Sequence, residues 1–177
     1  MIKMKKLDIR RVCGVLLALL LVAACLPLTR SYAAQTSDVI HIASEADLAE
    51  LARQCALDTW SRGRTVVLDN DLALEDGSFL PIPSFGGVFD GQGHAIRGIR
   101  ISGSLSPAGL FGVVQTGGVV RDLRAEGAVT PEGDARNVGG IAGENRGTIE
   151  DCSFTGTVSG KTNVGGIAGA NMAAGSI

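Results

Sequence analysis

The stretch NVGGIAGENRGTIEDCSFTGTVSGKTNVGGIAGAN, Asn137 to Asn171, opens and closes on nearly the same nine residues, 26 positions apart. Internal repetition is the first thing to seek in a sequence, because a period of 20–50 residues means an array of small units that stack. Three segments align with the middle of this stretch without gaps: Ile96–Leu105, Val120–Val129 and Ile149–Val158. Their first column holds Ile96, Val120 and Ile149, their fourth Ile99, Leu123 and Cys152, and their sixth Ile101, Ala125 and Phe154. The eighth is glycine throughout (Gly103, Gly127, Gly156), and the tenth is Leu105, Val129 and Val158.

From the fourth column onward the apolar residues recur every second position, the signature of a strand with one buried face. The three-residue step before it predicts a bend or bulge. The shared glycine predicts close backbone approach or a second bend. A second element alternates with the first: Ala108–Gly112, Gly139–Gly143 and Gly165–Gly169, with Leu110, Ile141 and Ile167 in one column. Its glycines (Gly139, Gly140, Gly143; Gly165, Gly166, Gly169) suit a short strand pinched between tight turns. Asn145 and Asn171, two residues further on, are expected at turns with left-handed backbone angles. A unit this small cannot bury its own apolar face and does so by stacking. The prediction is an all-β solenoid, a right-handed parallel β-helix, with like residues in ladders along its axis. A leucine-rich repeat would need an L-x-x-L-x-L frame, which these segments lack.

Upstream, Ser44–Gly63 breaks the pattern. Ser44 and Asp47 resemble a capping box, and Leu48, Leu51, Ala52 and Cys55 fall on one helical face. An amphipathic helix is expected here, ending at Gly63 and covering the open first coil. Asp38–Ile42 and Arg64–Leu74 read as strands of the first coils. The domain organisation is therefore residues 1–34 as a signal, 35–63 as strand and capping helix, and 64–177 as coils.

The signal is read from a basic start (Lys3, Lys5, Lys6, Arg10, Arg11), an apolar run from Val12 to Leu28, and small residues that permit cleavage after Ala33 or Ala34. An uncleaved anchor is the competing reading, and Val22–Cys25 also resembles a lipobox, in which Cys25 would be lipidated. Removal of residues 1–34 takes away six basic residues and one acidic residue, leaving ten and seventeen, a net charge of −7. With no basic patch, nucleic acid is excluded as a partner. Export would place Cys55 and Cys152 where disulfides form, but coils stacked at about 4.8 Å hold them too far apart to pair. Both are expected as buried free thiols.

With these residues in view, the chain resembles GLUG-motif proteins, glycine-rich repeat proteins of bacterial surfaces that include IgA1-specific metallopeptidases. GGIAGENRGTIEDCSFTGTVSG and its partial copy GGIAGANMAAGSI carry the resemblance, with Phe85–Ile101 and Gly109–Val114 upstream. It implies a surface location and a scaffold or stalk role. In that family the peptidase activity implies an H-E-x-x-H zinc domain, which is absent from this sequence.

Candidate chemistry is sparse. His41 and His94 have no metal-ligand spacing to a cysteine or to each other, so no metal and no cofactor is expected. Asp69 and Asp71, two apart in LDND, and Asp90 in FDGQGH are the acids of interest. One reading makes them general acid and base, or calcium ligands, of a β-helix enzyme acting on acidic polysaccharides. The other makes them turn residues, and the sequence shows no Arg or Lys cluster beside them to hold an anionic sugar. The reading adopted is a non-enzymatic, secreted or cell-surface module, structural or adhesin-like, with a host or cell-surface glycan or protein as partner and no transmembrane segment after cleavage. A polysaccharide lyase or hydrolase, or the N-terminal part of a larger surface peptidase, are the alternatives. Ile177 falls at the position of Ile149, so a further coil is begun and left unfinished. Continuation beyond Ile177 and self-association through the open last coil are expected.

Overall fold

The computed structural model describes residues 38–75 and 79–177. The signal reading, its cleavage at Ala33 or Ala34 and Cys25 lie outside the described residues. Thr36–Ile177 form one compact unit. In chain order the elements are β1 (Val39–Ile42), α1 (Glu45–Gln54), β2 (Thr65–Leu68), β3 (Leu72–Ala73), β4 (Ile82–Phe85), β5 (Val88–Asp90), β6 (Ala95–Ile101), β7 (Phe111–Val114) and β8 (Val119–Arg121). There follow β9 (Arg124–Val129), β10 (Arg136–Gly139), β11 (Ala142–Asn145), β12 (Thr148–Glu150), β13 (Ser153–Val158), β14 (Thr162–Gly165) and β15 (Ala168–Asn171).

The strands stack in parallel as β1-β2-β5-β8-β12, β3-β6-β9-β13 and β4-β7-β11-β15, with a short fourth pair β10-β14. From β2 onward each coil visits the first three faces in the same order, and the last two coils add the fourth. This is a β-solenoid of about four turns. Pairing between coils puts like columns in register: Val66, Phe89, Val120 and Ile149 on the first face; Leu72, Ile96, Ala125 and Phe154 on the second; Ile82, Phe111, Ala142 and Ala168 on the third. These columns fill the interior. Phe85, Phe89 and Phe111 form its bulkiest layer, with ring centroids 5.4–6.2 Å apart.

The last two repeats lie as the sequence columns place them. Val120 pairs with Ile149, and Ala125–Val129 with Phe154–Val158. The three-residue step is a corner between two faces, where Asp122 and Asp151 take left-handed angles of 51° and 50°. The first repeat is displaced from its expected columns. Val120 pairs with Phe89, Ala125 with Ile96 and Val129 with Ile101. The corner before β6 is two residues longer than the one before β9, and a bulge shifts the register between Ile96 and Ile99. Gly98, at φ 78°, supplies the angle that such a bulge requires.

Two further expectations are corrected. The G-G-I-A-G element is a corner and not a pinched strand: Gly139 ends β10, Gly140 and Ile141 turn, and Ala142 begins β11. Ile141 is buried at the turn. Asn145 and Asn171 close β11 and β15 and are not the left-handed residues; Asn137 and Asn163 are, at 56° and 55°.

The helix forms as the capping box dictates. Ser44 accepts from Asp47 N–H, and the Asp47 carboxylate accepts from Ser44 and Ala43 N–H, at 2.9–3.2 Å. It ends at Gln54, with Cys55 as its C-cap, nine residues before Gly63; turns fill the interval. Leu48, Leu51 and Ala52 are buried in the common core, and α1 packs on β1 and β4, each the first strand of its face. The edge strand β4 has a second protection. Ile82 donates across to the Leu110 carbonyl just before β7, so the alternate residue, Pro83, turns its donor-free nitrogen to the outer edge.

Candidate functional site

Each of the three aspartates singled out from sequence meets a partner one coil away. Asp69 follows β2 and reaches back to His41 on β1, Oδ1 to Nδ1 at 2.8 Å. Asp71 precedes β3 and reaches forward, accepting from Ala95 N–H at 3.0 Å, Arg97 at 2.9 Å and His94 Nδ1 at 3.2 Å. Asp90 accepts from both Arg121 Nε and Nη2, at 3.1 and 2.7 Å, and from Gln92 N–H at 3.0 Å. Asp69 and Asp71 thus tie to coils on opposite sides and do not share one partner. The arginines not visible in the sequence near these acids are Arg97 and Arg121, supplied by the next coil.

The electrostatics follow from this geometry. The Ala95 amide, then the Arg97 guanidinium, hold the Asp71 carboxyl at about 2. Asp90 raises the Arg121 guanidinium above its ordinary range, helped by Asp122 and Glu150. Arg121 stands between Asp90 and Glu150 in one cross-coil column, a ladder of alternating sign. Among the described residues no group of three His, Cys, Asp or Glu side chains is placed to hold a metal ion.

Asp71 makes its tie testable. Its folded value lies below the ordinary value of about 3.9, so the tie favours the folded state above that pH and is lost as pH falls towards about 2. Asp71→Asn should melt below the wild type at pH 6, and the gap should close between about pH 4 and pH 2. Thermal melts across that range by circular dichroism decide it; a gap that stays constant would show that the Asp71 charge is not what the coils use.

The repeat residues have structural duties. Asn145 is fully buried: its amide donates to Asn171 Oδ1 at 2.8 Å and Ser176 O at 2.9 Å, and its carbonyl accepts from Gly147 N–H at 3.1 Å. Asn163 donates to Asn137 in a parallel rung, also at 2.8 Å. Gly140 lies under the Phe154 ring, whose Cγ would stand 2.2 Å from any added Cβ. Cys55 is buried and Cys152 half-buried; both are free, and burial pushes each thiol up to about 11, so neither is a nucleophile at neutral pH. Phe154 too is half-buried, packed against the core from the last coil.

Two surface hollows stand out. A groove of about 740 Å³ is lined by Asp58, Arg62, Ser84, Gln115, Thr116 and Arg146. Arg146 pairs with Glu144 there, and Arg62 donates to the neutral Gln115 amide oxygen. A more apolar hollow of about 570 Å³ lies among Leu80, Pro81, Leu105 and Pro107.

Comparison with known proteins agrees with this architecture. Residues 134–159, from the corner before β10 through β13, match the family model of the GLUG motif. The chain therefore carries a GLUG motif, and the paired strands β14 and β15 repeat its first part in register. Halomucin of Haloquadratum walsbyi is 34% identical over 145 residues, covering 71% of this chain. The chain spans only 2% of the length of halomucin. No solved structure matches. Fold, motif and likeness together define a repeat module.

Proposed function

We propose that this chain is an exported, cell-surface repeat module that works as a scaffold or stalk and presents its long side surface to a glycan or protein, with no catalysis of its own. The observation that carries this reading is how its acids are used. Asp69, Asp71 and Asp90 each tie one coil to another, which is the work of a rod that must stay in register. A general acid must hold a proton near working pH, and Asp71, held at about 2, is poorly suited to that role in a polysaccharide lyase or hydrolase. The GLUG motif, the likeness to halomucin and the export signal read in residues 1–34 support the surface location. An adhesin-like role is the finer form of the same reading.

Location is tested with antibodies against residues 38–177 on intact source cells. Labelling that external protease removes before lysis is expected; an epitope protected until lysis would overturn the proposal. The non-catalytic half is tested by incubating the purified chain with a panel of acidic polysaccharides. No turnover is expected, and cleavage that disappears in Asp71→Asn would replace the scaffold with an enzyme.

A further inference from the structure

The groove of about 740 Å³ runs along the corner where the third face turns into the first. Its size is that of a small-molecule site, about 300–1,000 Å³. Its lining residues fall between Asp58 and Arg146, so none belongs to β12 through β15. The floor holds Ser84 and Val113, partners in register on β4 and β7. The wall is the turn after α1, and Gln115 fastens it. The Gln115 amide donates to Asp58 O at 2.7 Å and to Ser84 Oγ at 2.6 Å, and its Oε1 accepts from Arg62 Nε at 2.9 Å. Gly86 leaves room for this crossing: an added Cβ would stand 3.1 Å from Arg62 Cγ and 2.8 Å from Gln115 Oε1.

Gln115 stands between two arginines. Arg146 follows it one coil later in the same column, since Arg146 N–H donates to Val114 O at 2.8 Å. Arg146 is fixed as Arg62 is, through Nε, here by Glu144, whose side chain is only 10% exposed. In both arginines the Nη groups make no hydrogen bond among the described residues. Arg62 meets only a neutral amide, so no contact compensates its charge. Each free guanidinium end is a planar pair of donors, the match for a carboxylate. Asp58 also lines the groove, and a carboxylate only accepts. It calls for hydroxyl donors and repels a second anion. A peptide cannot enter as an added strand, because β7 and β11 are paired on both sides and the β4 edge carries Pro83. The ligand that fits has one carboxylate set among neutral hydroxyls.

We propose that this groove is a non-catalytic binding site for an acidic glycan, one in which a uronate ring stands among neutral sugars. The Nη groups of Arg62 and Arg146 take the carboxylate, and Asp58 and Thr116 meet the hydroxyls. The proposal rests on the reading of the chain as a surface module that presents its side to a partner, and it names the ligand class for that reading.

The test is isothermal titration calorimetry on the purified chain with two probes, the tetrasaccharides of hyaluronan and of unsulfated chondroitin. In both, glucuronate alternates with a neutral amino sugar. Saturable binding of at least one is expected, and its carboxyl-reduced form should bind at least about tenfold more weakly. Arg62→Gln and Arg146→Gln should each weaken binding at least about tenfold, the loss expected for a charged hydrogen bond. Thr116→Trp fills the groove from an exposed residue and should abolish binding, so the site is read even if an arginine change disturbs the wall. Arg100→Gln removes an exposed arginine on β6, outside the groove, and should bind as the wild type does. No binding of either probe, equal binding of the carboxyl-reduced form, equally tight binding of a hexaglutamate peptide, or loss of binding in Arg100→Gln would each overturn the proposal. Binding is read in solution and location on cells, so failure of this site leaves the scaffold reading standing, and a protected epitope on cells leaves the binding result standing.

Discussion

Phe111→Ala should cost about 3–5 kcal/mol, the range for deleting a fully buried aromatic ring. Phe111 is completely enclosed, with the rings of Phe85 and Phe89 both 5.4 Å from its own. Its column neighbours are Ile82 below and Ala142 above. Ala142 is too short to reach into the gap. The coils cannot close over it either, since their spacing is set by ladder hydrogen bonds and not by the side chains between them. The void therefore persists, and its cost adds to the lost burial. Against a typical domain stability of about 5–15 kcal/mol, this removes a large fraction of the total. Urea denaturation followed by circular dichroism measures it. Phe154→Ala, in the half-buried last coil, should cost well under half as much. Equal losses at both positions would mean that the interior is not layered as the columns imply.

The fold was legible in the sequence wherever the repeats keep their length. Val120–Val129 and Ile149–Val158 pair residue for residue because no insertion separates them. The preceding copy was misplaced because a gapless comparison cannot register a longer corner and the bulge at Gly98. The second element was located correctly but misread in kind. Glycines that flank one apolar residue fit a pinched strand as well as a corner, and only the pairing of Ala142 with Phe111 and Ala168 shows where the strand begins. Asparagine has a similar ambiguity: it tolerates left-handed angles and it also makes side-chain ladders. Asn137 takes both roles and Asn145 only the second. The helix outran its true end because Ala56–Gly63 contains no proline to stop it, while the Cys55 cap and the turns after it are set by packing on the first coils.

The partners of the aspartates were present in the sequence as a signal of a different range. Asp71 and Arg97 are 26 residues apart, Asp90 and Arg121 are 31, His41 and Asp69 are 28, and Lys161 and Asp134 are 27. These offsets are the repeat length. Opposite charges at one coil length are cross-strand neighbours in a solenoid, as residues four apart are neighbours on a helix. Local motifs such as LDND and FDGQGH carry no trace of this, which is why the acids read as turn residues or as a catalytic pair. Each exposed pair alone contributes little. Their recurrence at the coil period disfavours slipped registers, in which like charges would face each other.

Gly127→Ala should be among the most damaging conservative changes in the coils, costing about 3–5 kcal/mol from overpacking and backbone strain together. An added Cβ would lie 2.0 Å from the Ile99 carbonyl oxygen and 2.7 Å from its carbonyl carbon and nitrogen. All three are backbone atoms, so no rotamer relieves the overlap. Gly127 also sits at φ 157°, outside the range that side-chain-bearing residues readily occupy. Its strand cannot move away, because β9 is held between β6 and β13. Relief requires opening the β6–β9 ladder, so amides of β9 through β15 should exchange together and far sooner than in the wild type. Gly140→Ala should be milder, since the Phe154 ring can shift although the Gly166 carbonyl, 2.4 Å away, cannot. Gly166→Ala, in the same column with nothing within 4 Å, should stay within about 0.5 kcal/mol of the wild type. Thermal melts and hydrogen exchange on the three variants decide the matter. A Gly127→Ala protein as stable as Gly166→Ala would mean that glycine at position 127 is not imposed by coil-to-coil contact.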